Sequence, residues 1–214
     1  MVRPSRSSDL ESIAKLFLLG FNQSITHFVG VPTEGLTQAI QDVFYGLWDY
    51  GPQGILVAEA EGAVVGYIVA IPRMSGLWKH ILLRGHWWKW LNRWLRAHYG
   101  LSYRHVMKLG RNKLGFALAQ ARLSSKPPNE TVKTHHMGQI LSIAVRGDFQ
   151  GQGIATALLG QALSYLTKAG ADTVKLEVRP DNSPAIHLYK RAGFNHISTT
   201  TDSQGTWLVM LRKS

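Results

Sequence analysis

The chain has 214 residues, 45% of them hydrophobic and 17% charged, the balance of a folded domain rather than of a disordered or fibrous chain. It contains no cysteine, which excludes disulfides, thiolate nucleophiles and thiolate metal sites. The net charge of +11 is concentrated: 13 of the 24 Lys/Arg, but one acid (Glu130), fall between Arg73 and Lys133.

Five of the seven tryptophans (Trp78, Trp87, Trp88, Trp90 and Trp94) lie in the same stretch. A near-neutral scaffold with one basic, Trp-rich segment reads as a single domain, 1–214, carrying a helical insertion at 73–135. Acidic Asp9 and Glu11 stand where a secretory leader would need its apolar run, and no run of about 18 apolar residues exists to span a bilayer. A cytoplasmic location is the expectation.

In chain order, residues 8–22 read as a helix. Ser8 is its expected cap, Glu11 follows as in a capping box, and Ile13, Leu16, Phe17 and Phe21 share one face. A second helix is expected at 35–49, with Leu36, Ile40, Val43, Phe44 and Leu47 as its stripe. ILVAEA (55–60), a Glu-Gly turn and AVVGYIVAIP (63–72) form a β-hairpin rich in branched residues. The basic segment predicts a helix over 77–98, with Leu77, Ile81, Trp88, Leu91, Trp94 and Leu95 as its apolar positions, and a weaker one over 102–122. A strand at 139–145 leads into QGQGIA (150–155) and a helix to about 169, which Gly170 stops. After a strand at 173–178, Ser183 is the expected cap of a short helix with Pro184 in its first turn, ended by Gly193. Two strands, 194–200 and 206–212, close the chain around a Ser-Gln-Gly turn. The order predicts an α/β domain with a mixed sheet.

The strand–QGQGIA–helix unit carries the most chemistry. Gly151 and Gly153 allow a tight turn and close approach of a ligand. The free N–H groups that open the helix point outward with the positive end of its dipole, a site for phosphate. It is neither a P-loop, since no Gly-Lys-Ser/Thr follows, nor a dinucleotide fingerprint, since GxGxxG is incomplete and Lys175 stands where an acid belongs. A glycine-softened turn with no ligand is an equal reading of these residues alone. Downstream, alternation in TVKLEV puts Val174, Leu176 and Val178 on one face and Lys175 and Glu177 on the other. Glu177 suits a cleft if the strand is central, and a solvated face if it is an edge. Asn182 ends this strand, and Tyr189 lies on the short helix beyond it, where a core or rim position is the plain reading.

Taken in order, IAV, QGQGIA, LEV, Asn182, Leu188-Tyr189 and Gly193-Phe194 resemble the Gcn5-related N-acetyltransferase (GNAT) superfamily. The match covers about 139–196, and 1–72 agrees in element order. The spacing is most similar to that of bacterial ribosomal-protein alanine acetyltransferases. The resemblance implies a mostly antiparallel, twisted mixed sheet flanked by helices, and direct transfer of an acetyl group from acetyl-CoA to an amine. It implies that the main chain of Ile143, Ala144 and Val145 pairs with the pantetheine arm. It also implies that Gln150, Gly151, Gln152, Gly153, Ile154, Ala155 and Thr156 hold the pyrophosphate and that Asn182 bonds the arm. Glu177 would act as general base, Tyr189 would protonate the departing thiolate, and a main-chain N–H such as that of Val145 would receive the oxyanion.

The insertion departs from this pattern, since the superfamily core needs only a short connection after Pro72. It puts a ribosomal-protein acceptor in question and directs the expectation to a primary amine on a small or sugar-borne molecule, with an anionic acceptor suited to the basic charge. A peptide α-amine or lysine is the alternative. From another class comes a binding module that keeps the fold and uses 77–98 to touch a membrane, with nucleic acid a weaker partner. A lid that binds an anionic acceptor such as a nucleotide-sugar or phosphorylated glycan precursor, or a helical hairpin whose charges are simply solvated, is the other reading of the segment. His135-His136 lacks a third ligand at sensible spacing, so no metal is expected.

Overall fold

The computed structural model describes residues 1–21, 34–96, 99, 136–202 and 205–213. Its strands are β1 (Val2–Pro4), β2 (Ile55–Ala60), β3 (Ala63–Ile71), β4 (Met137–Val145), β5 (Thr173–Val178), β6 (Asn195–Asp202) and β7 (Gly205–Lys213). They form one sheet in the order β1-β2-β3-β4-β5-β7-β6. Every neighbouring pair is antiparallel except β4 and β5. The helices are α1 (Leu10–Gly20), α2 (Glu34–Tyr50), α3 (Met74–Leu83), α4 (His86–Leu95), α5 (Ile154–Lys168) and α6 (Ser183–Arg191).

Alternation along the strands builds two cores, one on each face of the sheet. Ile55, Val57, Tyr67, Val69 and Ile71 pack with Leu10, Ile13, Leu16, Phe44, Leu77 and Ile81 of α1, α2 and α3. Leu56, Ala58, Ile68, Ala70, Val174, Leu176 and Val178 pack with Leu158, Leu159, Ala162 and Leu166 of α5 and with Tyr189 of α6. Coverage on both sides explains why seven consecutive residues of β3 are buried. The β2–β3 turn takes positive φ at both Glu61 (52°) and Gly62 (74°), the hand that matches strand twist.

Several expectations change. Ser8 does not cap α1. A 3₁₀ turn, Ser7–Asp9, precedes the helix, and the Asp9 carboxylate accepts the Arg6 N–H at 2.7 Å. Val43 of the α2 stripe is exposed, because the helix buries only the narrower line through Leu36 and Phe44. The helix expected over 77–98 is two helices, because Gly85 adopts φ 70° and resets the phase. The buried line therefore jumps from Leu77 and Ile81 to His86 and half-buried Trp90, leaving Trp88 (60%) and Leu95 (69%) exposed. The cap of α6 is Asn182 rather than Ser183; its side chain accepts the Ala185 N–H at 3.2 Å. The helix expected over 102–122, and Ser203-Gln204 of the last turn, lie outside the described residues.

β1 was too short to announce itself. It pairs with β2 and is held by Arg3, whose Nη1 and Nη2 bond the two oxygens of Asp9 at 2.7 and 3.2 Å while Nε bonds Glu59 at 2.8 Å. Desolvation pushes the Asp9 carboxyl up, but the bonds from Arg3 and from the Arg6 N–H outweigh it, and the net shift is downward. Stabilisation from Asp9 is therefore complete above the ordinary carboxylate value of about 3.9 and is lost as pH falls through the lowered folded value. Asp9→Asn should destabilise the chain by about 2 kcal/mol at pH 7. Urea unfolding across pH should show that difference shrinking below about pH 4.

Candidate active site

The sheet divides at its single parallel pair. β4 and β5 pair only through Met137–Thr173, Gly138–Val174 and Gln139–Lys175. Beyond them β4 follows β3, and β5 stays with β7 in unbroken register from Thr173 to Val178. The departure coincides with a bulge: Val69 faces Ser142 and Ala70 faces Ile140, so Leu141 is the extra residue. A bulge bends its strand and increases local twist, which turns the end of β4 away from β5.

This leaves main-chain groups pointing into the gap. The Arg146 N–H bonds the Val65 carbonyl at 2.8 Å, so Arg146, Ala144 and Ser142 hold the positions bonded to β3. Ile143 and Val145 alternate with them and direct N–H and C=O toward the gap. Ala144, expected alongside, turns its own main chain to β3 and packs its side chain against the core beneath α1.

At the end of β4, Arg146 bonds Asp148 at 2.8 Å and lies over the Phe149 ring at 4.6 Å. Gln150 Nε2 donates to the Val145 carbonyl at 3.0 Å, and Gln152 Nε2 to the Asp148 carbonyl at 3.2 Å. Both glutamines of the motif thus tie the loop to itself through their side chains. Gly151 and Gly153 have φ of 77° and 79°, and a Cβ on either would meet nothing within 4 Å. Their glycine identity is demanded by backbone conformation, with open space left in front of them. Gly153 also begins α5 with no side chain to cap it, so the first N–H groups, at Ile154, Ala155 and Thr156, are available to an anion.

β5 is interior, which removes the edge-strand reading of Glu177. Val174, Leu176 and Val178 are buried under α5 and α6, while Lys175 and Glu177 share the other face, half-buried and paired at 2.8 Å. Tyr189 is 5% exposed on α6, with the Phe194 ring edge-on at 6.0 Å. Burial pushes its phenol up to about 12, so it holds its proton at neutral pH. Asn182, at the start of the same helix, uses its Oδ1 as the cap and retains its amide N–H groups as donors.

A cluster of Asp49, His80 and His86, flanked by aromatic rings, went unseen in the sequence. Residues 31 and 37 positions apart on three helices offer no motif. His136 of the expected pair bonds Arg73 at 2.8 Å, and His135 lies outside the described residues.

The sequence model of the acetyltransferase (GNAT) family matches residues 25–194. The ribosomal protein bS18-alanine N-acetyltransferase of Escherichia coli K12 is 30% identical over 138 residues, which are 61% of this chain and 85% of that protein. An uncharacterized N-acetyltransferase of Methanocaldococcus jannaschii is 28% identical over 138 residues, 64% of this chain and 57% of that protein. The crystal structure of an N-acetyltransferase from Staphylococcus aureus Mu50 superposes with a TM-score of 0.62 at 21% identity, over 99% of both chains.

Two glycines of one segment separate ligand binding from stability. Gly153→Ala forces a side chain into φ 79° and should weaken coenzyme A binding about tenfold in calorimetry. Gly160→Ala, in the exposed interior of α5, should leave that affinity unchanged and raise stability by about 0.5–1 kcal/mol.

Proposed function

The chain belongs to the acetyltransferase (GNAT) family, and on that premise we propose that it moves the acetyl group of acetyl-CoA directly to a primary amine, with a peptide α-amine as the acceptor class. One observation carries the reading: β4 and β5 part after three residue pairs, leaving the Ile143 and Val145 main chain to receive an extended, amide-bearing arm as an added strand. The fit extends to the diphosphate, since the free N–H groups at the start of α5 lie beyond open space at Gly151 and Gly153.

The residues then divide the work. An ammonium has no lone pair, so Glu177 takes a proton before the nitrogen attacks the thioester carbon. The Val145 N–H donates to the oxygen on which negative charge grows. Asn182 offers its amide N–H groups to the arm. As the carbon–sulfur bond breaks, Tyr189 gives its proton to the leaving thiolate, the nitrogen loses its second proton to water, water returns a proton to the Tyr189 phenolate, and a neutral amide and a free thiol are released. Direct transfer needs no protein nucleophile, and holding both reactants across the split accounts for much of the rate.

Likeness to the bS18-alanine enzyme over 85% of its length supports the peptide α-amine. The basic insertion supports small or sugar-borne anionic amines as the second acceptor class. It also presents Trp78, Leu82, Leu83, Trp88 and Leu95 as exposed side chains beside Lys79, Arg84 and Lys89, which supports contact with a membrane surface through α3 and α4. No helix among the described residues is long and apolar enough to cross a membrane. A cytoplasmic location, where acetyl-CoA is made and used, belongs to the same proposal.

Release of free coenzyme A thiol tests it. Peptides beginning with alanine should be turned over at least a hundredfold more efficiently than amino sugars; the reverse ratio assigns the small-molecule class instead. Tyr189→Phe and Glu177→Gln should each lower kcat about a hundredfold while acetyl-CoA affinity stays within a few-fold. Full activity in both variants would remove these residues from the mechanism.

A further inference from the structure

Away from the split sheet, three helices bring metal-ligating side chains to one point. Asp49 lies in the last turn of α2, His80 near the end of α3, and His86 at the first position of α4. His80 Nε2 is 2.7 Å from Asp49 Oδ2 and His86 Nε2 is 2.9 Å from the same oxygen. The three ligand atoms lie within 4.8 Å of one another.

The setting is enclosed. His86 is 4% exposed, and the Trp90 ring stacks on it at 6.4 Å with Tyr45 edge-on at 5.9 Å. Tyr50 lies edge-on to His80 at 5.6 Å, and the two imidazoles are 28° from coplanar at 5.9 Å. On one continuous helix His80 and His86, six residues apart, would point about 120° away from each other. The left-handed turn at Gly85 folds them onto the same carboxylate.

We propose that Asp49, His80 and His86 form a zinc site that clasps the start of the basic insertion to α2. Two neutral imidazoles and one carboxylate are a donor set suited to Zn²⁺, which takes nitrogen at 2.0–2.1 Å and carboxylate oxygen at about 2.0–2.2 Å. Four-coordinate geometry at those lengths spaces the ligand atoms about 3.3 Å apart. The two nitrogen–oxygen separations fall short of that by about half an ångström, a gap that small side-chain rotations close. A single oxygen otherwise serves two Nε2 groups, which requires both rings to carry their proton on that nitrogen. A divalent ion takes the place of both Nε2 protons, each ring then carrying its proton on Nδ1, and leaves a fourth position for water on the Asp49–His80 side, where the two side chains are 26% and 20% exposed. The ion ties α3 and α4, the two described helices of the insertion, to α2.

Untagged full-length protein, stripped with a chelator and dialysed, should bind one Zn²⁺ per chain at micromolar or tighter affinity in calorimetry. Co²⁺ in its place should give the intense visible bands of four-coordinate cobalt. Zn²⁺ should raise the thermal midpoint of the wild type. His80→Gln, the milder change, and Asp49→Asn should each weaken Zn²⁺ binding at least a hundredfold and abolish the cobalt bands, while acetyl-CoA binding and circular dichroism show the fold retained. Wild-type protein that takes up no more Zn²⁺ or Co²⁺ than Asp49→Asn would overturn the proposal and leave the cluster as a hydrogen-bonded triad.

Discussion

The proposed acetyl transfer depends on two adjacent strands failing to stay together. Parallel strands in a covered sheet ordinarily pair along their shared length. Here the extra residue at Leu141 bends one of them after three pairs, and unbroken pairing with β7 holds the other in place. The outcome is a polar slot inside a sheet that carries an apolar core on each face. Main-chain groups that would be costly to bury without a partner thereby face the slot, where the proposed amide-bearing arm would pair with them. The same parting opens room beside β5, so that Glu177 and Lys175 lie half-buried in a strand that is interior to the sheet.

Much of this was readable from residues, and the reason is local. QGQGIA announces a strand-to-helix turn because glycine alone enters left-handed backbone freely, and TVKLEV announces its two faces because side chains alternate. The hairpin, α2 and β5 fall within a residue or two of expectation for the same cause: their signals lie in neighbouring residues. Missed features are those that need a partner distant in sequence. β1 is three residues whose pairing depends on Glu59, Asp9 and Arg3 meeting. The bulge at Leu141 is defined only against β3. Gln150 matched a ligand-binding signature, yet its side chain grips the Val145 carbonyl. The 77–98 pattern misled because periodicity carries phase only until something resets it, and Gly85 does so.

The insertion joins the domain more intimately than its composition suggests. Arg93 and Tyr99 both bond the carboxylate of Asp42, and His80 and His86 both bond that of Asp49, so α2 offers two anionic anchor points one after the other along its length. Leu77 and Ile81 complete the core that α1 and α2 make with the sheet. The first part of the basic segment is therefore continuous with the scaffold, and its positive charge is presented from a fixed platform.

The side-chain bond from Gln150 to the Val145 carbonyl has a kinetic meaning. A loop knotted to its own strand gives up conformational freedom when the chain folds, before any donor arrives. On the proposed reading, capture of a diphosphate would then carry little further ordering penalty, and spent carrier would leave a cradle that keeps its shape. Successive rounds of the proposed turnover would be a matter of exchange at a standing socket, with no refolding of the loop between them.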